Sequence, residues 1–323
     1  MRCPVCGNSA FTEAVSENAI RREIREREEF IAARLGRKGS PEELKDLTDF
    51  MHGFAAPLER CAGCGLLARA EARVRTAKSY SKDPNDPGVM DQLFPRYVQA
   101  FRNQAPGFRE RLRPHAEVLE IGSHLGAFLQ VAEEWNWNAV GLDVGCDTAP
   151  FARARGLTVK QAMLEDSAFA PGSFDAVFIW NCFEQMNDPA ATLRAAHRVL
   201  KPHGLLTVRV PNAEFYLKER AATDLAAWNN LPGFPYLYGY SQRLVTRLAG
   251  KHGFEFVRGF NSELITMPFA DLTSRIAAEQ KAASTRAAGY ESGPWIETIC
   301  RRVEQPVPHS RECVDRRFLP RAA

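Results

Sequence analysis

Four cysteines in two pairs have the type and spacing that point most directly to chemistry. Cys3-Pro4-Val5-Cys6-Gly7 and Cys61-Ala62-Gly63-Cys64-Gly65 each hold two thiols separated by two residues and followed by a glycine. The two-residue gap lets both thiolates of a knuckle reach one ion, and the glycine admits the tight turn. Together Cys3, Cys6, Cys61 and Cys64 offer the four soft, anionic ligands of a closed, tetrahedral, structural Zn²⁺ site. Such a site leaves no open position for catalysis. Four buried thiols or a redox pair are the alternative uses of these residues. Cys146, Cys182, Cys300 and Cys313 show no ligand spacing and read as buried apolar residues.

A second stretch with chemical potential runs from Ala116 to Val144, AEVLEIGSHLGAFLQVAEEWNWNAVGLDV. Its apolar run Val118-Leu119-Glu120-Ile121 reads as a buried strand, and a turn holding Gly122 and Gly126 follows at once. Phe128, Leu129, Val131, Ala132 and Trp135 then recur with helical spacing, and Ala139 to Asp143 reads as a second strand. A strand, a glycine turn, a helix and a strand ending in an acid is the form of a nucleotide-binding βαβ unit. The glycines and the helix N-terminus let backbone approach a ligand, and Asp143 is placed to accept hydrogen bonds from ribose hydroxyls. A dinucleotide asks for G-x-G-x-x-G. Gly122-Ser123-His124-Leu125-Gly126-Ala127 lacks glycine at two of those three positions.

The elements around this unit repeat its alternation. A short helix over Thr148–Arg155 precedes a third strand over Leu157–Gln161, and Ala162 to Gly172 is a loop. Phe174 to Trp180 is a strongly apolar fourth strand. Asp188-Pro189 opens a helix through Leu200, Lys201 to Gly204 forms a turn, and Leu205–Val210 is a fifth strand stopped by Pro211. Leu231 to Tyr240 reads as an aromatic, proline- and glycine-rich loop whose tyrosines could pack as a lid. Ser241 is expected to cap a helix through Lys251, followed by strands at Gly253–Val257 and Trp295–Cys300 with a helical insertion around Asp271 to Ala288 between them. This order predicts an α/β fold with a doubly wound, mostly parallel seven-stranded sheet.

The 323 residues, with 45% hydrophobic and 25% charged side chains, suffice for one large domain and a small appendage. We expect a zinc-ribbon-like module over 1–75, a linker and lead-in helix over 76–113, the main domain over 114–302 and a tail over 303–323. Residues 7 to 60 separate the knuckles, so the module holds an insertion with helices over Glu17–Gly36 and from Ser40 onward. Val89 to Phe108 has the spacing of the lead-in helix, with Met90, Leu93, Tyr97 and Phe101 on one side. Tyr80 to Gly88 reads as a loop before it. The net charge of +3 and the lack of a basic, aromatic-interleaved stripe argue against a nucleic-acid partner. No apolar run has the length of a membrane span, and MRCPVCGNSA lacks the apolar core of a signal peptide. A cytoplasmic, reducing setting fits paired thiols without an export signal. Oligomeric state is not legible here.

Several blocks follow in order after the third strand. They are Glu165-Asp166, Pro171 to Asp175, Asn181-Cys182-Phe183-Glu184-Gln185, Asp188-Pro189, Arg198 to Gly204 and Val210-Pro211-Asn212. This series, over roughly residues 115 to 260, resembles the S-adenosylmethionine-dependent methyltransferases of the seven-stranded Rossmann-like class. The paired knuckles resemble the zinc-binding module of some bacterial members, which include sugar and small-molecule methyltransferases. The resemblance implies S-adenosylmethionine and structural zinc as cofactors and a small-molecule or sugar-like acceptor as substrate. It implies that Glu120 reaches the methionine amino group and that Gly122, Ser123, His124 and Gly126 lie under the methionine part. Asp143 would hold the ribose, Val144 would pack on the adenine, and Met163, Leu164 and Glu165 would line the adenine edge. Asn181 would face the cleft near the sulfonium.

The chain departs from the family at four places. His124 replaces the middle glycine of the turn, and Met163 stands where many members have an acid. Gln185 replaces a histidine after Glu184, and His203 replaces a glycine of the Pro-Gly-Gly turn. Glu184 and Gln185 are the candidate catalytic residues, with Asn212, Tyr236, Tyr238 and Tyr240 as further acceptor-side candidates. Tyr80, Arg96 and Tyr97 are placed to contact a ligand or to pack. Two other functions fit the same motifs: a binding protein that keeps the fold without catalysis, and an RNA-modifying methyltransferase.

Overall fold

The computed structural model describes residues 2–25, 56–69, 87–104, 111–219, 237–261 and 295–304. The N-terminal part supplies β1 (Phe11–Val15), a helix over residues 17–25, β2 (Leu58–Cys61) and β3 (Leu67–Ala68). α1 (Pro87–Gln104) leads to β4 (Glu117–Ile121), α2 (Ala127–Glu134), β5 (Asn138–Asp143), α3 (Thr148–Arg153) and β6 (Val159–Gln161). β7 (Phe174–Trp180), a 3-10 turn (Phe183–Gln185), α4 (Pro189–Val199) and β8 (Leu200–Pro211) follow. Then come α5 (Ala213–Glu219), β9 (Tyr238–Gly239), α6 (Gln242–Lys251), β10 (Phe254–Asn261) and β11 (Trp295–Arg302).

The large sheet has seven strands in the order β10-β11-β8-β7-β4-β5-β6. β6, β5, β4, β7 and β8 run parallel, and β11 is antiparallel to both β8 and β10. The expected doubly wound, mostly parallel sheet is therefore present. Strand alternation divides its core into two faces. On one face, Val118, Ala176, Phe178 and Trp180 meet Val98 and Phe101 of α1 and Phe128 of α2. Phe128 packs 4.8 Å from Phe178 and 5.5 Å from Phe101, centroid to centroid. Burial of each such ring contributes about 1.5–3 kcal/mol. On the other face, Leu119, Val177 and Val208 meet Leu193 of α4 and Leu248 of α6.

Local sequence explains where the helices begin. Asp188 accepts a hydrogen bond from the Ala191 N–H at 2.9 Å, and Pro189 occupies the first turn, where no N–H partner is needed. The expected loop over 80–88 ends earlier than its composition suggests, because Pro87 and Gly88 already belong to α1. Lys201 to Gly204 is drawn into β8 rather than forming a separate turn. Leu200 pairs with Phe174, and the register then slips so that Leu205 pairs with Ala176. Lys201 is tied to Asp175 by a 2.7 Å ion pair, and a side chain on Gly204 would press on the carbonyls of Lys201 and Asp175. Ser241 is the N-cap of α6 by position, but its side chain makes no capping bond. Its backbone carbonyl receives Leu244 and Val245 N–H instead.

The N-terminal part is stitched to the main domain. β1, β2 and β3 form a second sheet whose fourth strand is β9, contributed from the stretch expected to be an aromatic loop. Cys3, Val5 and Leu66 share one apolar cluster with Phe183, Tyr240 and Leu244. Lys251 donates to the Val5 carbonyl at 2.5 Å, and Arg243 donates to that of Cys64 at 3.5 Å. Of the expected insertion, residues 17–25 are helical, with Ile20 and Ile24 packed near Tyr216 and Trp295. The helix from Ser40, Tyr80, Tyr236, the insertion near Asp271–Ala288, Cys313 and the tail from 305 lie outside the described residues. Among those described, no helix is long and apolar enough to cross a membrane.

Candidate functional site

The two knuckles converge. The Sγ atoms of Cys3, Cys6, Cys61 and Cys64 all lie within 4.8 Å of one another. Cys3 Sγ stands 3.5 Å from Cys64 Sγ, and Cys6 Sγ stands 3.5 Å from Cys61 Sγ. Four sulfurs bonded at ~2.3 Å to a tetrahedral ion are separated by roughly 3.8 Å. The cluster thus has the size and donor chemistry of a closed Cys₄ site. Each knuckle closes with a left-handed glycine, Gly7 at φ 79° and Gly65 at φ 86°, which donates back to the carbonyl of Cys3 or Cys61. Burial opposes ionisation of Cys61, yet backbone N–H groups and the Cys6 thiol bring its pKa down to about 7. One member of the cluster is therefore ready to lose its proton near neutrality.

At the C-terminal end of β4 the chain makes its glycine turn. Gly122 and Gly126 have φ of 73° and 80°. A Cβ on Gly122 would strike Cys182 Sγ at 2.5 Å, and one on Gly126 would strike Leu157 Cδ1 at 2.7 Å. Only glycine fits either position. Gly122 and Ser123 donate their N–H groups to the Leu142 carbonyl, Gly126 to that of Ser123, and His124 to Asp143 Oδ2 at 2.7 Å. With these donors committed inside the chain, the turn is not a phosphate cradle of the dinucleotide kind. Asp143 Oδ1 further accepts from Gly145 N–H at 2.8 Å and from the Thr148 hydroxyl at 2.6 Å. Three donors thus fix the carboxylate at the mouth of β5, with lone pairs left for a ligand.

His124 takes φ 48°, and its ring meets Tyr97 of α1 edge-on at 6.0 Å. The residue is exposed in area, yet protein atoms crowd the ring enough to lower its pKa, against the pull of Asp143 and Asp147. His203, the other histidine at a family glycine position, also has positive φ, 63°. Both substitutions leave the backbone in the conformation that glycine favours. Val144 is half-buried beside Asp143. Beyond β6, Met163 is exposed, Leu164 is buried and Glu165 accepts from Thr192 Oγ1 at 2.5 Å.

Buried charge is concentrated where β4, β7 and β8 end and β11 begins. Glu120 is buried with Oε2 unpartnered; burial, then the Asp143 charge, push its pKa well up, with Arg209 opposing. Glu184, in the 3-10 turn after β7, is buried, and neither carboxylate oxygen has a hydrogen-bond partner among the described residues. Burial raises its pKa to about 8, against the pull of its own backbone N–H, then Arg209, then the Gln185 amide. Arg209 of β8 lies beside Glu297 of β11 at 3.6 Å and donates through Nε to Asn181 Oδ1 at 3.0 Å. Its guanidinium carbon is 5.1 Å from the centre of the Trp180 ring. Asn181 bends the chain with φ 52°, and its carbonyl accepts from Gln185 Nε2 at 3.1 Å.

The structure therefore brings Glu120, Gly122, Ser123, His124, Gly126 and Asp143 together at one strand end, with Asn181, Glu184 and Gln185 on the neighbouring strand. Other candidates have local duties. Asn212 caps α5, its Oδ1 accepting from Glu214 N–H at 3.1 Å, as an asparagine before a helix commonly does. Tyr238 and Tyr240 are fully buried, with Tyr240 packed 5.4 Å from Phe183, so they are core rather than lid. Arg209, Glu297 and Cys182 are site residues that sequence reasoning passed over. The available signal was a charged residue inside each of two apolar strands.

Comparison with known proteins agrees with this geometry. A family model described as a methyltransferase domain matches residues 90–258, more than half of the chain. The Ubiquinone biosynthesis O-methyltransferase of Pseudomonas aeruginosa (strain UCBPP-PA14) is 34% identical over 97 residues, covering 27% of this chain and 41% of that protein. Its counterpart in Xanthomonas campestris is 29% identical over 106 residues, covering 31% and 44%. The chain thus spans less than half the length of the curated relatives it matches. Among solved structures, an S-adenosylmethionine-dependent methyltransferase from Mesorhizobium loti aligns with a TM-score of 0.45 at 17% identity, covering 61% of this chain and 96% of that one. The partner of the Trm112 methyltransferase activator from Haloferax volcanii aligns with a TM-score of 0.48 at 18% identity, covering 67% and 92%. By the family match over residues 90–258, carried on a seven-stranded, mostly parallel sheet, the chain belongs to the methyltransferase-domain family.

Proposed function

We propose that the enzyme transfers a methyl group from S-adenosylmethionine to an O–H or N–H of a small-molecule or sugar-like acceptor, with Glu184 as general base. The observation that carries this reading is the Glu184 carboxyl group. It is buried in the turn after β7, neither oxygen has a hydrogen bond of good geometry among the described residues, and burial raises its pKa to about 8. Brønsted behaviour favours a base poised near working pH. Glu120 receives the methionine amino group through its unpartnered Oε2, Asp143 receives the ribose, and the Gly122–Gly126 turn lies under the methionine chain. Val144, Met163, Leu164 and Glu165 border the adenine. Asn181 and Gln185 hold the turn that carries Glu184.

When bound, the sulfonium supplies an electrophilic methyl group for in-line displacement. The chain's own part is to align the acceptor, exclude water and accept the acceptor's proton on a Glu184 oxygen. The four cysteines hold one structural zinc, which fastens the N-terminal sheet against Phe183 and α6 at the acceptor end. A cytoplasmic setting would keep those thiols reduced.

Calorimetry of zinc-replete protein with S-adenosylhomocysteine should show one site per chain, and absence of binding would overturn the reading. Labelled cofactor added to a metabolite extract should then mark a small molecule. Binding without transfer to any metabolite would favour the non-catalytic alternative. Metal analysis should find one zinc per chain, lost in Cys61→Ala together with more than about 4 kcal/mol of stability.

A further inference from the structure

The geometry points to Arg209 as a positioning residue for this reaction: one buried guanidinium that fixes the Asn181 bend and governs the ionisation of both cleft carboxylates, Glu120 and Glu184. The inference rests on the cofactor and base roles proposed above. Neither sequence motif nor family comparison singles Arg209 out.

The placement follows from register. Arg209 is paired across the sheet with Trp180 of β7 on one side and with Glu297 of β11 on the other. Those two neighbours hold the guanidinium flat on the face where Glu120 also lies. Nε is committed to Asn181 Oδ1, and the Arg209 carbonyl receives the Asn181 N–H at 3.0 Å. Two bonds from one residue thus pin a non-glycine residue at positive φ, a conformation that persists only where the surroundings over-determine it. That bend aims the 3-10 turn and with it Glu184.

The charge count gives the second half. Among the described residues, the titratable groups that act on Arg209 are Glu297 from β11, Glu184 from the 3-10 turn and Glu120 from β4. Asp143 and the Cys182 thiol stand within electrostatic reach of Glu120. α1 and α2 turn the apolar Phe101 and Phe128 to this face, while Arg102 and Glu134 pair with each other at the surface. One cation therefore faces three carboxylates in a site where water cannot screen them. Glu297 holds the guanidinium from behind. The remaining positive field reaches both cleft acids and lowers the pH at which each ionises.

The test needs no acceptor. Glu120 must be ionised to hold the amino group of S-adenosylhomocysteine, so wild-type affinity should rise with pH as this buried carboxyl ionises. In Arg209→Met the rise should move up by about one pH unit, so affinity on the acid side of the rise falls roughly tenfold and the gap closes as pH rises. Arg209→Lys keeps the charge and should keep the wild-type profile. An unmoved profile in Arg209→Met, or an equal loss at every pH, would overturn the proposal, since a merely structural role predicts the latter. Should Arg209→Met fail to fold, Glu297→Gln serves instead. Releasing the guanidinium from its rear partner should move the rise to lower pH, and an unmoved or opposite change overturns the proposal. Wild-type protein that binds nothing overturns the cofactor reading as well, whereas a binding wild type with unmoved variants overturns the Arg209 role alone.

Discussion

Two arginines, Arg69 and Arg209, are each only 1% exposed, and their surroundings differ in one respect. Arg69 sits at the seam between the N-terminal sheet and the main domain. It donates to the Ala56 carbonyl, its own N–H bonds to Leu237, and Glu23 and Tyr216 lie within electrostatic reach. Tyr216 in turn donates to Glu23 Oε2 at 2.7 Å. The Glu23 carboxylate is thus matched within the seam by a phenol donor and a nearby cation. Burial still lowers the Arg69 pKa to about 10, but Tyr216 and Glu23 oppose the shift. Among the described residues three carboxylates act on Arg209 instead, and Glu120 and Glu184 keep oxygens without a hydrogen bond of good geometry. Desolvating a carboxylate costs several kcal/mol unless a partner restores the lost hydration. The seam carboxylate has a donor in place, whereas the cleft carboxylates keep oxygens without a hydrogen-bond partner among the described residues, which suits the second place to receive a ligand.

If that contrast is right, removing an acid should have opposite consequences at the two places. The largest effect is expected at the seam. Glu23→Ala leaves Arg69 buried without its carboxylate and the Tyr216 hydroxyl without its acceptor. Urea unfolding should show a loss of about 3–5 kcal/mol. A loss below about 1 kcal/mol would mean that the seam is not a completed ion cluster. In the cleft, Glu184→Gln should keep S-adenosylhomocysteine affinity within a few-fold and reduce methyl transfer about a hundredfold or more. Retained transfer would remove Glu184 as the base.

The same Glu184→Gln variant should also be more stable than wild type, with a definite pH dependence. The folded-state pKa of Glu184, about 8, lies above its ordinary value of 4.5. The folded protein therefore holds this proton where the unfolded chain has lost it, and stability declines as pH rises between those two values. Above pH 8 the loss is complete. The amide cannot ionise, so the advantage of Glu184→Gln should be small at pH 5 and grow by roughly 4 kcal/mol toward pH 8.5. Thermal unfolding of both proteins across that range checks it. A difference independent of pH would mean that Glu184 ionises freely in the fold.

What the sequence revealed divides along the same line. The Cys-x-x-Cys-Gly knuckles, the Gly122 turn and the apolar run of β7 are local patterns, and their residues fixed both their structure and their place. The cluster around Arg209 is not local. Arg209 and Glu297 face each other only because β11 returns antiparallel beside β8, and neither strand's own pattern indicates its neighbour. The seam was hidden for the same reason: Tyr238 and Gly239 looked like part of a proline- and glycine-rich loop, yet they complete the N-terminal sheet through Leu67 and Ala68. Asn212 has a capping role that was legible in a different way. An asparagine after a strand and before a helix carried its own capping signal, which its position in a family motif obscured.

The smallest predicted effect concerns His124, which borders the cleft but belongs to neither ion cluster. Its φ of 48° is a conformation that glycine adopts freely and a histidine adopts at some cost. Its N–H bond to Asp143 comes from the backbone and survives any side-chain change, so the ribose carboxylate stays in place without the imidazole. The ring itself touches Tyr97, 6.0 Å away, rather than the turn beneath it. His124→Gly should therefore leave S-adenosylhomocysteine affinity within about threefold, because it removes strain of roughly 1 kcal/mol and loses one edge-on aromatic contact of similar size. A tenfold or greater loss would show that the imidazole itself meets the cofactor. The cleft's recognition chemistry would then extend from the buried carboxylates to its exposed rim, and the contrast with the seam would be one of ligand contact as well as of charge.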